Sequence, residues 1–252
     1  MIRFGVFLLS CFCLPLLAAP LRLAVVDVPP YGFLLPAAAP LSADQIATDA
    51  AIGGAYKDIG ELLANASQSP MQFQLLPYPR AVDMVLHGES DLTIMFGNSA
   101  LHETAREVAP LANVEVVLVG HGQKGAALRT DALNGLVIGR LRGGCDELSG
   151  RPDLHLFDLN DHKSGLRMLQ AGRIQALCSV ALALQVAAIE LHLDWQKFGK
   201  PVVLGRRTVW LFASPQLPDT TLQVLRKAVK KLTIEGRIDA VLKRYAKVGL
   251  GQ

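Results

Sequence analysis

No run of five like charges occurs anywhere in the 252 residues, and 25 lysines and arginines against 22 acidic residues leave a net charge of only +3. The pI is about 8.7, and the two signs are mixed along the whole chain. Neither a nucleic-acid partner nor an anionic membrane surface is implied by such a distribution. After the first residues no apolar stretch is long enough to span a bilayer; "SVALALQVAAIELHL" is broken by Gln185 and Glu190. Aromatics are few, nine Phe, four Tyr and two Trp, which disfavours a stacking platform for oligosaccharides. The catalytic signatures G-x-S-x-G, Walker loop and dinucleotide fingerprint are absent. His87, His102, His121, His155, His162 and His192 show no paired metal-ligand spacing, and the acidic residues form no obvious acid–base pair. No cofactor and no metal are expected.

What is present begins with an export pattern. Arg3 supplies a minimal positive start, Phe4 to Leu17 is almost wholly apolar, and Ala18-Ala19 offers small residues for cleavage. The apolar run is shorter than the ~18–20 residues of a spanning helix, so residues 1–19 read as a cleaved signal peptide. Cys11 and Cys13 leave with it, and the mature chain keeps Cys145 and Cys178. An even pair in an oxidising compartment is a candidate disulfide. The remaining chain, about 230 residues, suits two lobes of ordinary domain size.

The elements alternate. "LRLAVVDVPPYGF" (21–33) reads as a buried strand stopped by Pro29-Pro30, and 34–51 as a long loop. Helices are expected over 54–67 and 80–88, strands over 71–79 and 90–97, and a further strand over 113–122. A second series follows: a short capped helix at 129–135, a strand at 136–144, a helix start or turn at "CDELSG", a strand at 153–159, a helix at 160–172 and a strand at 174–180. Extended patterning returns over 202–214. A long amphipathic helix with a break near Gly236 ends the chain. One phrase is written twice: "AVDMVLHGESDLTIM" and "GLRMLQAGRIQALCS" align at Gly88 and Gly172, with Met84 against Met168, Val85 against Leu169, and Asp91 against Gln175. Each copy reads as the last helix–strand step of its own α/β lobe, the glycine ending the helix and the apolar run entering a parallel sheet.

At these residues the sequence resembles a type II periplasmic solute-binding protein of the bacterial extracellular family 3 group. "VDVPPYGF", "GAYKDIGELLANA", "PYPRAVDMVLHGESDLTI", "DALNGLVIGRLRGG", "LRMLQAGRIQALCSV" and "IEGRIDAVLKRY" follow one another as their counterparts do in that family, and the Pro-x-Arg-Ala helix is found in one of its branches. The resemblance implies an α/β fold of two lobes joined by two crossover strands. Lobe one would take 20–116 and 206–252, and lobe two 117–205. A cleft between them would close on a small molecule by hinge motion. It further implies a monomeric periplasmic binding protein, not an enzyme, that serves an uptake permease (an ABC transporter) or a membrane-bound sensor in signalling. The alternative on the same fold is a periplasmic cyclohexadienyl-type dehydratase, with Asp146 or Glu147 as general acid. Amino-acid binders of the group carry an arginine in a T-x-x-R stretch and an aspartate ending the last lobe-two strand. Here the first place reads "GNSALHETAREVAPL", where Arg106 matches poorly, and the second holds Val180.

The candidate ligand contacts are Tyr31 after the first strand, with Phe33 near it, then Arg80, Phe96, Gly97, Asn98 and Ser99, and in lobe two Arg142, Gly143, Gly144, Cys145 and Asp146. Arg80 stands in a helix first turn, where the helix dipole gives a cation nothing, and a guanidinium there would grip an anion bidentately. It is the basis for expecting an anionic solute. A helix starting near Cys145 would add free N–H groups for an anion. The strands ending at Gly144 and Ser179 are expected to be neighbours, which would join Cys145 to Cys178.

Overall fold

The structure, a computed structural model, describes residues 19–36, 49–97, 99–122, 128 and 133–249. The export signal up to Ala18, with Cys11 and Cys13, lies outside the described residues, as do most of the 34–51 loop and residues 129–132 of the short helix expected at 129–135.

β1 (Leu21–Val26) is buried on both faces, as expected of a central parallel strand. Leu23 and Val25 enter one apolar cluster, while Ala24 and Val26 enter another on the opposite side of the sheet. The chain then makes a small two-stranded ladder, β2 (Phe33–Leu34) with β3 (Ile52–Gly53). α1 (Ala55–Ser67) follows, and its first N–H groups, on Ala55 and Tyr56, donate to the carbonyls of Pro30 and Tyr31. β4 (Met71–Leu76) pairs parallel with β1, and α2 (Tyr78–Leu86) starts two residues before the expected Arg80. Pro79 does not prevent this, because a proline in the first turn lacks only an N–H that would have no helical partner. β5 (Leu92–Phe96) pairs parallel with β1, and a short α3 (Ser99–Thr104), which the sequence did not suggest, leads to β6 (Arg106–Gly120).

β6 begins seven residues before the expected Asn113 and runs through Pro110, which sits at a register shift where the ladder is already interrupted. β7 (Val137–Leu141) and β8 (His155–Leu159) pair parallel; between them Asp146–Leu148 form one 3₁₀ turn, not an α-helix. α4 (His162–Gln170) and β9 (Ala176–Val180) fall where expected. α5 (Ala181–Glu190) lacks a sequence signal, since its own residues are almost all apolar and no helical stripe stands out. β10 (Val202–Ala213), α6 (Asp219–Ile234) and α7 (Arg237–Gly249) complete the chain, with Gly236 at φ 67° between the last two.

Among the described residues eight strands form one sheet, in the order β4-β1-β5-β10-β6-β9-β7-β8. β6 and β10 are antiparallel over almost their whole length, from Arg106↔Ala213 to Leu118↔Val202. They belong to two lobes at once: β1, β4 and β5 continue the sheet on one side, β7, β8 and β9 on the other. α1, α6 and α7 cover one face of the first lobe and α2 the other. In the second lobe α4 and α5 cover one face. The opposite face holds Leu133, Ile138, Leu148 and Leu154 around the Cys145–Cys178 disulfide. The α-carbons of that bridge are 6.3 Å apart, within the ~4.4–6.8 Å range of disulfides.

The duplicated phrase is a duplicated joint. Gly88 and Gly172 have φ 77° and 69°. Behind them Glu89 N–H donates to Met84 O at 2.8 Å, and Arg173 N–H to Met168 O at 2.9 Å. This is the 6→1 bond of a helix closed by a left-handed residue. Three residues on, the Asp91 side chain accepts from Arg22 N–H at 2.7 Å and the Gln175 side chain from Val137 N–H at 2.8 Å. The same two residues donate their own N–H groups to the carbonyls of Arg22 and Val137. Both joints therefore seat the incoming strand against the first strand of its lobe by one device, and either a carboxylate or an amide serves as its acceptor.

Two stability effects are expected. Replacing Cys145 and Cys178 by serine releases a loop with a sequence separation of 33, and should lower stability by about 3–4 kcal/mol in urea unfolding. Gly172→Ala should cost about 1 kcal/mol from backbone strain alone, because an added Cβ meets nothing within 4 Å. A neutral outcome for Gly172→Ala would show that the joint does not depend on its left-handed residue.

Candidate functional site

The carboxyl ends of β1, β4, β7 and β8 point into a cavity of about 440 Å³ between the lobes. One wall comes from the first lobe: Asp27, Val28 and Pro29 after β1, and Pro77, Tyr78 and Pro79 where β4 passes into α2. The second lobe supplies Leu141 and Arg142 after β7, Leu159 to Lys163 where β8 passes into α4, and Ala183, Ala187 and Glu190 of α5. The two walls are built alike. Asp27 N–H donates to Leu76 O and Arg142 N–H to Leu159 O, so each residue is the first beyond the strand that opens its lobe. Tyr78 and His162 are likewise the first residues of α2 and α4. Carrying the Gly88–Gly172 alignment back ten positions reaches that pair.

Equivalent positions carry different chemistry. Asp27 keeps solvent contact through the cavity, yet the protein around it displaces enough water to raise its pKa. Nearby Lys163 opposes that rise and Asp161 adds to it. Its counterpart Arg142 is exposed into the same space. Neither side chain makes a hydrogen bond or ion pair with another described residue. The remaining charges are engaged locally: Lys163 pairs with Glu190 at 2.6 Å, and Asp161 caps α4 by accepting from Ser164 N–H at 2.8 Å.

Deeper in the cleft the walls meet on apolar and aromatic surface. Tyr78 stacks on Phe96 with ring centroids 6.0 Å apart, and Tyr31 on Tyr56 at 4.8 Å. Small voids of about 20 and 40 Å³ lie beside Leu141, Ser179 and Val180. His162 reaches this inner region, almost wholly buried, with Nε2 2.6 Å from Ser179 Oγ. Burial lowers its pKa to about 4, against a smaller opposing effect of Asp161. At neutral pH it is an uncharged hydrogen-bonding group.

The residues singled out from sequence separate into groups. Tyr31, Phe96, Gly144 and Cys145 border the small inner voids, and Arg142 lines the main cavity. Gly143, at φ 75°, forms a turn whose added Cβ would lie 3.9 Å from Tyr78 across the cleft. Gly97 is packed against His102 and Phe212, and its carbonyl accepts from Arg207. Asp146 and Glu147 both face Arg207, and neither lines the main cavity. Asn98 and the Ser99 side chain lie outside the described residues. Because a single 3₁₀ turn follows Cys145, the helical N–H groups expected there as an anion site are not formed. Arg80 is exposed, makes no ion pair with a described residue and does not border the cavity, so the support it gave to an anionic ligand is withdrawn. Sequence reasoning missed Asp27, Tyr78, His162, Lys163 and Arg207. The repeat alignment, continued to the helix starts, would have reached Tyr78 and His162.

A shared sheet, two lobes and a cavity at the carboxyl ends of both sets of parallel strands define the fold of periplasmic binding proteins and related sensor domains. Solved structures with this fold include a histidine kinase sensor domain with similarity to periplasmic binding proteins (TM-score 0.74, 16% identity, covering 90% of this chain and 96% of that one). An ancestral arginine-binding protein bound to arginine superposes with a TM-score of 0.71 at 12% identity, covering 91% and 99% of the two chains. The GluR0 ligand-binding core from Nostoc punctiforme in complex with glutamate gives 0.69 at 15% identity, covering 90% and 99%. The sequence matches no protein-family model and no curated protein sequence.

His162 generates a pH dependence. A histidine held at about 4 when folded, against the ordinary 6.5, leaves the unfolded chain binding more protons between those values. Stability is therefore full above pH 6.5 and falls as the pH drops towards 4, by about 3 kcal/mol at ~1.4 kcal/mol per unit. His162→Gln should flatten that part of the stability–pH curve relative to the wild type in urea titrations at pH 7, 5.5 and 4.5. Parallel curves for the two proteins would contradict a neutral, buried His162.

Proposed function

We propose that the chain is an exported, monomeric, periplasmic binding protein whose lobes, 20–116 with 206–252 and 117–205, close on one small solute. The solute is then delivered to a membrane permease or reported to a membrane sensor. The observation that carries this reading is the two-walled cavity, with an unpaired carboxylate on one lobe and an unpaired guanidinium at the equivalent place on the other. A solute bearing a cationic group for Asp27 and an anionic group for Arg142 would bridge the lobes and favour closure. The anionic half of that ligand is thus assigned to Arg142 in place of Arg80. Arginine and glutamate, bound in two of the similar structures, are small charged molecules of this type. Among the described residues no helix is long and apolar enough to cross a membrane. The dehydratase reading is not favoured, since both carboxylates suggested as its acid are directed to Arg207.

A thermal-shift screen of amino acids, organic acids and polyamines tests the proposal. A true ligand at ~100 times its Kd should stabilise by ~2.7 kcal/mol. Asp27→Asn and Arg142→Ala should each weaken binding of that ligand by ~2–5 kcal/mol, mainly through faster release. Arg80→Ala should leave affinity unchanged. Wild-type affinity in both cavity variants, or loss of affinity in Arg80→Ala, would rule out this assignment of the site.

A further inference from the structure

The ion pairs of the second lobe are mostly local; Arg207 is different. It lies on β10, on the stretch that crosses between lobes opposite Val114 of β6. Its Nη1 donates to the carbonyl of Gly97, at the end of β5 in the first lobe, at 3.2 Å. Its Nε donates to Glu147 Oε1 at 2.6 Å, and Nη2 lies 3.5 Å from Asp146 Oδ2, both on the 3₁₀ turn of the second lobe. Burial works against this guanidinium's charge, and the bonds to Glu147 and Asp146 outweigh it.

Each partner is held in place by a different part of the structure. Gly205, beside a register shift in β10, lies next to Glu147: a Cβ added there would meet Glu147 Cγ at 3.7 Å, an ordinary packing contact. Glu147 is largely buried, and its Oε2 has no hydrogen-bond partner among the described residues. A buried carboxylate supported on one oxygen depends heavily on its single cation. The acidic turn itself is fixed to the core of its lobe by Leu148 and by the Cys145–Cys178 disulfide directly before it.

We propose that Arg207 is a positioning residue that sets the angle between the lobes, joining the end of β5 to an acidic turn that the disulfide braces. Opening the cleft moves Gly97 and Glu147 apart, and one planar guanidinium serves both only while they remain close. The disulfide thereby acts on the cleft as well as on the stability of its own lobe. The inference stands on the two-lobed fold; only its consequence for ligand affinity rests on the binding-protein reading above.

The test measures lobe separation directly, without ligand. Spin labels are carried on unnatural amino acids at Val224 on α6 and Phe157 on β8, both exposed, which leaves Cys145 and Cys178 bonded. Pulsed EPR distances are recorded for the wild type and for Arg207→Ala, Arg207→Lys, Glu147→Gln and the Cys145→Ser/Cys178→Ser pair. Arg207→Ala and Glu147→Gln should broaden the distribution and raise the population of altered separations about tenfold, as expected for loss of a charge-assisted bond. Arg207→Lys, which cannot fork to both partners, should fall between. The cysteine variant should broaden the distribution in the same way, and adding Arg207→Ala to it should change little. A wild-type distribution in Glu147→Gln, an isosteric change that does not depend on whether Arg207→Ala folds, overturns the proposal. Full additivity of the cysteine and arginine changes overturns the role given to the disulfide. If the wild type binds no solute in the thermal screen while these distances shift as stated, the ligand reading fails and this inference stands. If a solute binds and the distances do not move, the reverse holds.

Discussion

Two antiparallel strands, β6 and β10, are common property of both lobes, and the remaining geometry follows from that sharing. Each lobe needs them to complete its sheet, so neither can be detached without exposing unpaired backbone groups. Because the parallel strands on either side run towards the shared pair's midpoint region, their carboxyl ends converge on one cleft. The loops at those ends are short, a single residue between β4 and α2 and two between β8 and α4. Side chains at the helix starts are therefore fixed by the sheet itself, and the walls of the cavity are set by the fold.

Within that frame the cleft divides polar from apolar work by depth. The inner part, closed by Tyr78, Phe96, Leu141 and Val180, is largely buried, and burial keeps His162 neutral beside a hydroxyl partner. The outer cavity keeps its charges in reach of solvent, where an unpaired carboxylate and guanidinium can persist at modest cost. The other charges of the cavity are engaged locally, Glu190 with Lys163 and Asp161 with the first turn of α4. Among the charged side chains lining the outer cavity, those of Asp27 and Arg142 are left without a partner among the described residues.

Most of the element order was legible in the sequence, because helix–glycine–strand joints leave a local signature and buried parallel strands leave apolar runs. α5 was not, because a helix whose own residues are almost all apolar has no polar face to set its period. The early half of β6 was hidden by Pro110, whose place at a register shift is a property of the partner strand. The site was legible in position but not in residues. Strand ends could be located, and Arg142, Tyr31 and Phe96 fall in the cleft. Whether a residue in a helix first turn faces the cleft depends on helix rotation about its axis, and a shift of two residues in the start of α2 exchanges Arg80 for Tyr78. Arg207 was invisible for another reason: its partners lie 60 and 110 residues away.

The sheet order also governs how the chain assembles as it is made. β7, β8 and β9 need only β6 before them to form four neighbouring strands of the sheet, so much of the second lobe can gather as soon as β9 has emerged. The first lobe cannot. β5, although made early, waits for β10 as its neighbour, and α1 waits for α6 and α7, the last two described helices. The segment from β1 to β5 therefore remains incompletely covered until strands and helices more than a hundred residues further along the chain have joined it. The lobe whose strands are written first is the lobe that is finished last.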